Sequence, residues 1–303
     1  MTQLIKLQDY ITRYEWDIYR YPSQFIRLKQ DNWKKLHYIW SHPEGNQTEE
    51  EQEKPSYLSK WKSFMKRKEL KEEEPIKENS LPKTEEELKQ YFLNKLFPFQ
   101  LKWASSTVTD VSFFNSSYYQ NDTLKYFLQR FPDTYLLMYY PIFNIKKAPV
   151  DGEVILISPI GIEIIQLVES HPHTTFKAGD ERTWEVEKDS KQTNMLSPMI
   201  ALKRTEQIVK SLLHANNIEF PITKVILSRT NHIIYSSEPY KTKIFGKQSY
   251  EKWFQEKRTL VAPLKNRQLK AAEILLKNCQ TTAVKRPEWE EDTSIFSLDD
   301  EEV

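Results

Sequence analysis

The side chains that could do chemistry are concentrated between Asp151 and Glu169. Carboxylates stand at Asp151 and Glu153, and Gln166 and Val168 follow in a second apolar run. Residues two apart on a strand share one face, so Gln166 and Val168 present an amide and an aliphatic group on the same side. Carboxylate oxygens are the ligands that Mg²⁺ prefers, whereas an amide oxygen can ligate the ion but brings no charge. The stretch therefore offers two carboxylates and one weaker ligand.

Two runs rich in Ile, Val and Leu must position these groups. The runs flank the sequence Ser-Pro-Ile-Gly, in which Pro159 and Gly161 are typical turn residues. β-Branched residues are stiff and favour the pleated conformation of a strand. We therefore predict a β-hairpin with strands near 153–157 and 162–168.

This hairpin resembles that of the NERD (nuclease-related) domain family, which begins with acidic residues, turns at a Gly-Pro-x-Gly-like corner and ends in Glu-x-Lys. The family is assigned to the PD-(D/E)XK nuclease-like fold. The resemblance places Asp151 and Glu153 at the acidic positions and Gly161 at the turn glycine. Gln166 then replaces the glutamate, and Val168 replaces the lysine.

The order of the other predicted elements agrees with this resemblance. They are a helix from Asn121, a strand at Tyr135–Tyr140, the hairpin, a strand at Arg182–Glu187, a helix from Pro198 to about His214, and strands at Thr223–Leu227 and His232–Tyr235. Ser197 and Pro198 are a favourable start for the later helix. The predicted fold class is α/β (α+β), a PD-(D/E)XK restriction-endonuclease-like αβββαβ core with an N-terminal helical arm.

The resemblance implies a chemistry that the residues support only in part. In such nucleases carboxylates hold Mg²⁺, the ion polarises the scissile phosphate and activates water, and a lysine adds positive charge. Here Gln166 is neutral, Val168 carries no charge, and Ala201 stands where the family has a helical glutamine. We interpret Asp151, Glu153 and Gln166 as relic catalytic positions, and Asp151 and Glu153 as metal ligands if a metal site persists. No cofactor is expected, or Mg²⁺ if cleavage is retained.

The overall composition argues against several classes of protein. The 303 residues carry a formal net charge of +1, so no global field indicates nucleic acid or membrane. A single cysteine, Cys279, allows neither an intrachain disulfide nor a thiolate metal cluster. No run approaches the roughly 18 apolar residues of a membrane helix, and the N-terminus has no apolar core of signal-peptide length. We expect a cytoplasmic protein without membrane insertion.

Shifts in composition divide the chain into five predicted parts. Apolar residues spaced three or four apart predict helices near the N-terminus, and charge blocks broken by prolines predict a disordered segment after them. A capping box at Thr84–Glu87 starts the next helix, predicted over 85–96. The parts are a helical hairpin (1–41), a charged linker (42–82), a NERD-like domain (83–260, core about 115–235), a basic C-terminal helix (261–286) and an acidic tail (287–303).

A basic region follows the predicted core. Residues 241–286 contain twelve Lys or Arg against three Glu, interleaved with Trp253 and Phe254. Basic side chains beside aromatic rings can track a nucleic-acid backbone, although the pattern also fits a solvated helix face. The residues predicted to bind nucleic acid are Lys252, Lys257, Arg258, Lys265, Arg267 and Lys270.

Three interpretations of function follow from these patterns. The favoured one is a nuclease-related protein that has lost cleavage and binds nucleic acid or a protein. This interpretation favours the absence of enzyme activity but leaves the question open. The second is an active Mg²⁺-dependent nuclease that uses Glu153 with a relocated second ligand. The third is a scaffold that assembles through its aromatic N-terminal helices. The partners considered are DNA or RNA, a protein bound by those helices, and a second copy of the chain.

Overall fold

The computed structural model describes residues 1–42, 81–180, 182–189 and 191–286. These residues form a mixed α/β fold, as predicted from the sequence. One compact unit contains Met1–Ile26 and the described residues from Lys95 onward, and the other contains the described residues between Arg27 and Asn94. The borders of these units differ from those of the predicted parts, because the N-terminal residues belong with the main sheet.

Six α-helices and fourteen strands are formed by the described residues. The helices are α1 (Tyr21–Ser41), α2 (Glu85–Trp103), α3 (Asp122–Arg130), α4 (Pro198–Ala215), α5 (Lys247–Arg258) and α6 (Asn266–Lys277). The strands are β1 (Gln3–Leu7), β2 (Asp110–Val111), β3 (Leu136–Tyr139), β4 (Ile142–Ile145), β5 (Ala148–Asp151), β6 (Val154–Ser158), β7 (Gly161–Leu167), β8 (Thr174–Lys177), β9 (Thr183–Lys188), β10 (Lys191–Leu196), β11 (Ile222–Leu227), β12 (His232–Ile234), β13 (Thr242–Phe245) and β14 (Val284–Lys285).

The central sheet has the strand order β1-β3-β6-β7-β11-β13. Strands β6 and β7 form the predicted antiparallel hairpin, in which Val154 lies opposite Ile165 and Ser158 lies opposite Gly161. Strand β11 is parallel to both β7 and β13. All five residues of β6 are buried, which is why its sequence is a continuous apolar run rather than an alternating one.

Helices cover both faces of this sheet. Lys224 of β11 pairs in register with Ile164 of β7, and its Nζ lies 2.5 Å from Glu206 Oε2 of α4. Glu163 is one residue from Ile164 and so belongs to the other face, where it bonds Lys257 of α5. Helix α6 packs on α4, and α3 packs ring against ring on α5. The faces are called the α4 face and the α5 face below.

The predicted N-terminal helical hairpin is wrong in its first half. Residues Gln3–Leu7 form the edge strand β1, which runs parallel to β3, and all five are buried. The apolar spacing that suggested a helix arises because Leu4, Ile5 and Leu7 are buried on both faces of a strand. The second half of the prediction holds as α1, but Pro22 lies in the first turn of this helix and does not separate two helices.

The smaller unit contains most of α1 and the start of α2. The predicted capping box is confirmed, because Glu87 N donates to Thr84 Oγ1 (3.3 Å) and Thr84 N donates to Glu87 Oε2 (3.4 Å). Within this unit the ring centroids of Trp33 and Phe92 lie 5.4 Å apart. Helix α2 continues past the predicted end at residue 96 and includes Pro98 in its interior.

Two further features of the larger unit depart from the expected order. Strand β12, predicted as part of the core, belongs to a separate four-stranded sheet with the order β10-β9-β8-β12. The β4–β5 hairpin was not predicted, because its turn residues are Lys146 (φ 51°) and Lys147 (φ 68°) and not the usual Asn or Gly. The order of β3, β6, β7, α4 and β11 does not by itself establish a PD-(D/E)XK core. That core stays a prediction.

Several sequence-based predictions fall outside the described residues. They concern most of the charged linker at 42–82 and the acidic tail at 287–303. Among the helices that the structure does describe, none combines the length and apolar character needed to cross a bilayer.

Candidate active site

The predicted relic positions meet at one end of the β6–β7 hairpin. Glu153 immediately precedes β6, and because Val154 lies opposite Ile165, Glu153 falls next to Gln166 in the same antiparallel register. Asp151 ends β5 two residues earlier and is exposed. The structure therefore brings Asp151, Glu153 and Gln166 into one region, as the sequence suggested.

Glu153 is held in place by its backbone. Its amide N donates to Thr205 Oγ1 of α4 over 3.1 Å, and Thr205 is fully buried. The preceding Gly152 donates its N–H to Pro141 O over 2.8 Å. A Cβ on Gly152 would come within 2.9 Å of the Phe143 ring, so this close approach requires glycine. Helix α4 and the β4–β5 region thus fix where the carboxylate emerges.

The carboxylate of Glu153 is ionisable, largely buried and unpaired. Glu153 is 9% exposed, and among the described residues its carboxylate has no hydrogen-bond or ion-pair partner. Burial raises the pKa of Glu153; the Arg204 guanidinium opposes that shift, and the Asp151 carboxylate adds to it. A carboxyl group whose pKa is shifted towards neutrality is suited to proton transfer.

Tyr140 completes this group of side chains. Burial raises the pKa of Tyr140, and the negative charge of Glu153 raises it further. Its backbone has φ 47°, which is uncommon for any residue other than glycine and more so before a proline. Strain of this kind persists where the surrounding structure imposes it, often at functional sites. Tyr140, Asp151, Glu153 and Arg204 are called the Glu153 cluster below.

Gln166 differs from the glutamate of the family pattern in its surroundings as well as its charge. Its Oε1 is buried without a hydrogen-bond partner. Val168, the counterpart of the lysine, is 5% exposed and packs as an apolar residue. Leaving a buried acceptor unsatisfied costs about 1–3 kcal/mol, so Gln166 presents an oxygen that a bound donor would satisfy.

The carboxylates on the α5 face are each bonded to a cation, although Glu163 Oε2 is buried without a hydrogen-bond partner. Glu163 Oε1 lies 2.5 Å from Lys257 Nζ, and burial raises the pKa of Glu163 although Lys257 opposes the shift. Glu169 accepts two bonds from the Arg229 side chain (2.7 Å each) and one from its amide (2.8 Å). Burial pushes the pKa of Glu169 up, but the bonds from Arg229 outweigh it and hold the pKa below its ordinary value.

The residues predicted to bind nucleic acid are divided between two helices on opposite faces. Lys252, Lys257 and Arg258 belong to α5, whereas Lys265 precedes α6 and Arg267 and Lys270 lie within it. Lys257 is engaged with Glu163, and the Arg258 guanidinium carbon lies 5.4 Å from the Phe254 ring centroid. The six residues therefore do not form one continuous patch, and their binding role stays a prediction.

The part of the chain that the structure describes contains no group of three or more His, Cys, Asp or Glu arranged to hold a metal ion. The two carboxylates predicted as ligands are present, but they lie with Arg204 and Tyr140 and not with a third acid. This set of donors fits proton transfer and anion binding better than it fits a cation.

The comparisons with known proteins give one partial similarity. A curated protein named RNA 2′,3′-cyclic phosphodiesterase, from Geobacillus stearothermophilus, is 35% identical over 113 residues. The matched region covers 33% of this chain and 36% of that protein, so the chain spans about a third of the relative's length. No family model matches the sequence, and no solved structure matches the chain.

This similarity contradicts the favoured interpretation of function. The relative is named as a phosphodiesterase of RNA, which conflicts with an inactive NERD-type protein and with the description of a degenerate PD-(D/E)XK pseudoenzyme. The Mg²⁺-dependent nuclease and the scaffold, which stood as alternatives to it, gain no support from the match. The interpretation as an inactive protein was wrong because it treated the loss of one metal-binding pattern as the loss of all phosphodiester hydrolysis. Acid–base groups can also catalyse that hydrolysis.

Sequence reasoning missed three residues of the site. Tyr140, Arg204 and Thr205 come from a strand end and a helix that lie far from Glu153 in the sequence. One signal was available: Arg204 follows Ala201, which had been aligned with the family's polar position, by about one helical turn. The Tyr-Pro pair at Tyr140 gave no comparable signal, because its unusual φ cannot be read from residue types.

Proposed function

We propose that this protein binds RNA and hydrolyses a phosphodiester bond in it, with the Glu153 cluster as the acid–base site. The observation that carries the proposal is the unpaired, largely buried carboxylate of Glu153, which the exposed Arg204 influences electrostatically. The partial similarity to a protein named RNA 2′,3′-cyclic phosphodiesterase supports the choice of RNA as the substrate class.

The residues of the cluster have distinct roles in this proposal. Ionised Glu153 accepts a proton from a water molecule, whose oxygen forms the new bond to phosphorus. Arg204 binds the non-bridging oxygens, which gain negative charge as the bond forms. The bond from phosphorus to the leaving ribose oxygen breaks, and the Tyr140 hydroxyl supplies the proton which that oxygen takes up. With a 2′,3′-cyclic phosphate the product is a phosphate monoester.

The electrostatics of Glu153 suit the role of a general base. A base becomes stronger as its pKa rises, and burial raises the pKa of Glu153 from the ordinary range of a glutamate. The Arg204 guanidinium opposes that shift and so favours the ionised form of the carboxylate. Gln166 presents its buried Oε1 at the same end of the hairpin, where it can accept a hydrogen bond from a ribose hydroxyl.

A separate proposal concerns the fold. We infer that the central sheet is of the PD-(D/E)XK type, supported by the order α3, β3, β6, β7, α4 and β11 and by the antiparallel β6–β7 hairpin followed by parallel β11. This inference is about architecture and does not carry the metal chemistry of that class with it.

The proposed function is tested with a short oligoribonucleotide that ends in a 2′,3′-cyclic phosphate. Formation of the monoester is measured for the wild type, for Glu153→Gln and for the matched control Glu185→Gln. Glu185 is an exposed residue of β9, outside the cluster. We expect Glu153→Gln to slow hydrolysis by a factor on the order of 10²–10⁴, the usual contribution of a general acid or base, and the control to leave it unchanged.

Two further outcomes are informative. Absence of hydrolysis by the wild type, or equal rates for Glu153→Gln and the wild type, would contradict the proposal. The same assay in EDTA tests the predicted use of Mg²⁺: hydrolysis that EDTA abolishes and Mg²⁺ restores would replace the acid–base step with a metal-dependent one.

A further inference from the structure

A basic cavity lies where the end of α4 meets the start of α6. Its volume is about 520 Å³, and its lining includes His214 from α4 together with Arg267 and Lys270 from α6. All three side chains belong to exposed residues, so the cavity is accessible from solvent. Two of the residues, Arg267 and Lys270, were among those predicted to bind nucleic acid.

The α4 wall of the cavity has a fixed backbone. Helix α4 ends in a Schellman motif, in which Ile218 N donates to Leu213 O (2.9 Å) and Asn217 N donates to His214 O (3.0 Å). Asn217 takes the left-handed conformation that this motif requires, with φ 55°, and asparagine tolerates it well. The residues that line this side of the cavity are therefore held by hydrogen bonds of the main chain.

Gln268 attaches the α6 wall to the central sheet and to the segment before β3. This fully buried side chain donates through Nε2 to Thr134 O (2.7 Å) and to Ile157 O (3.0 Å). Arg267 and Lys270 are three residues apart, so they project on the same side of the helix. A rigid helix end thus presents two adjacent cations to the cavity.

These cations are available to bind an anion. Neither Arg267 nor Lys270 forms an ion pair with another residue that the structure describes. Lys270 does act electrostatically on Glu273, but that carboxylate is already bonded to Lys277 over 2.7 Å. Glu219 is the acidic residue in the lining, against Arg267, Lys270 and His214.

The exposed face of α4 connects the cavity to the Glu153 cluster. Arg204, Lys210 and His214 are all exposed on this helix. Ten residues separate Arg204 from His214, which corresponds to about 15 Å along the helix axis at 1.5 Å per residue. The acid on the same helix that would weaken this charge, Glu206, is bonded to the buried Lys224 of β11. A positive surface therefore runs from the cluster to the cavity.

We propose that this surface, called the α4 track (Arg204, Lys210, His214, Arg267 and Lys270), binds the phosphates of a single-stranded RNA next to the hydrolysed bond, and that Arg267 and Lys270 hold one phosphate in the cavity. The inference rests on the proposed function for its choice of RNA. The chemistry favours a polyanion, because the lining is polar and cationic and its one apolar residue, Ile218, is half-buried.

The test is a binding measurement that does not require catalysis. Fluorescence anisotropy of the full chain with a labelled, unstructured oligoribonucleotide ending in a 3′-hydroxyl is recorded over a range of salt concentrations. The variant Arg267→Ala/Lys270→Ala is compared with Lys241→Ala/Lys247→Ala, called the α5 variant, which removes the same charge from exposed residues at and just before the start of α5. Arg267→Lys/Lys270→Arg retains the charge and serves as the rescue variant.

We expect the α6 double variant to bind roughly tenfold more weakly, and the slope of log K against log salt to fall by about 0.7 for each phosphate that the variant no longer neutralises. The rescue variant keeps the slope, and the α5 variant changes neither quantity. An equal loss of affinity in the α5 variant, or no loss in the α6 variant, overturns the track. Equal binding of an acidic peptide of the same charge overturns the choice of RNA.

The outcome separates this inference from the proposed function. If the wild type binds RNA without dependence on Arg267 and Lys270 but hydrolyses the cyclic phosphate, the function stands and the track fails. If binding depends on the track but no hydrolysis occurs, the track stands and the function fails. If the wild type neither binds nor hydrolyses RNA, both fail.

Discussion

The two faces of strand β7 treat their acids in opposite ways. On the α5 face, Glu163 and Glu169 are each bonded to a cation, Lys257 and Arg229. On the α4 face, the carboxylate beside the hairpin, Glu153, has no such bond among the described residues, and its cationic neighbour is an exposed arginine. The β6–β7 hairpin thus has paired carboxylates that stabilise the fold on its α5 face. On its α4 face it has an unpaired carboxylate that is available for chemistry.

This contrast shows how stability and reactivity can be kept apart in one sheet. A carboxylate with a fixed cationic partner stabilises the fold, because removing either group of the pair leaves an uncompensated charge. A largely buried carboxylate without a partner is costly to keep ionised, and such a cost is more often retained where the group has a function. The predictions below test whether the two faces can be disturbed independently.

The largest expected effect is on catalysis. Glu153→Gln should lower hydrolysis by a factor on the order of 10²–10⁴ without lowering the free energy of unfolding. Glu169→Gln should do the reverse, reducing stability while the remaining folded protein keeps its turnover. Both quantities are measured on the same preparations by cyclic-phosphate hydrolysis and urea unfolding. Parallel losses in both assays for both variants would break the division between the faces.

The next effect is on stability. Lys257→Met leaves Glu163, whose side chain is 15% exposed, without its cation. We expect the free energy of unfolding to fall by roughly 3 kcal/mol, since breaking a largely buried pair is strongly destabilising. The double variant Lys257→Met/Glu163→Met removes both charges and should recover most of the loss. A single variant as stable as the wild type would show that the pair is not structural.

The pH dependence of stability should have opposite signs on the two faces. The pKa of Glu169 is lowered on folding, so its contribution is present above the ordinary glutamate pKa and disappears as the pH falls. The pKa of Glu153 is raised, so the protein loses stability as the pH rises through the folded-state pKa. Relative to the wild type, Glu169→Gln should therefore be least stable near neutral pH, where Glu153→Gln should be equally or more stable. Unfolding curves from acidic to neutral pH give both differences.

The smallest effect concerns the unsatisfied oxygen on the α4 face. Gln166→Met keeps a similar volume and removes the amide group, so the free energy of unfolding should rise by about 1 kcal/mol. If the amide oxygen binds a ribose hydroxyl, the KM for the oligoribonucleotide should rise as well. A variant that is less stable than the wild type would show that the amide has a partner in the folded protein.

The elements that depend on neighbouring residues were predictable from the sequence. The β6–β7 hairpin, the capped helix α4 and the capping box at Thr84 are each specified by residues within a few positions of one another, and each is confirmed. Strand β1 was not, because the spacing of Leu4 and Leu7 also fits a helix and its partner β3 lies more than a hundred residues away. Pairing over such distances leaves no local pattern.

The candidate site divides in the same way. Asp151, Glu153 and Gln166 could be proposed because they lie in one short stretch of sequence; Asp151 ends β5, and Glu153 falls beside Gln166 at the end of the β6–β7 hairpin. Arg204 and Tyr140 were missed, because each comes close enough to influence Glu153 only through the tertiary fold. The split of the basic residues between α5 and α6 was likewise invisible, since a linear count of charge does not show on which face of the sheet a helix lies.

The position of β1 has a consequence for the synthesis of this protein. The strand at Gln3–Leu7 pairs with Leu136–Tyr139, so it leaves the ribosome well over a hundred residues before its partner. At about 5–20 residues per second, the nascent chain must carry this apolar segment for roughly 7–27 seconds before β3 has been made. During that interval the segment is open to chaperones and to aggregation, because the residues that were made first can join the sheet only after β3 has been made.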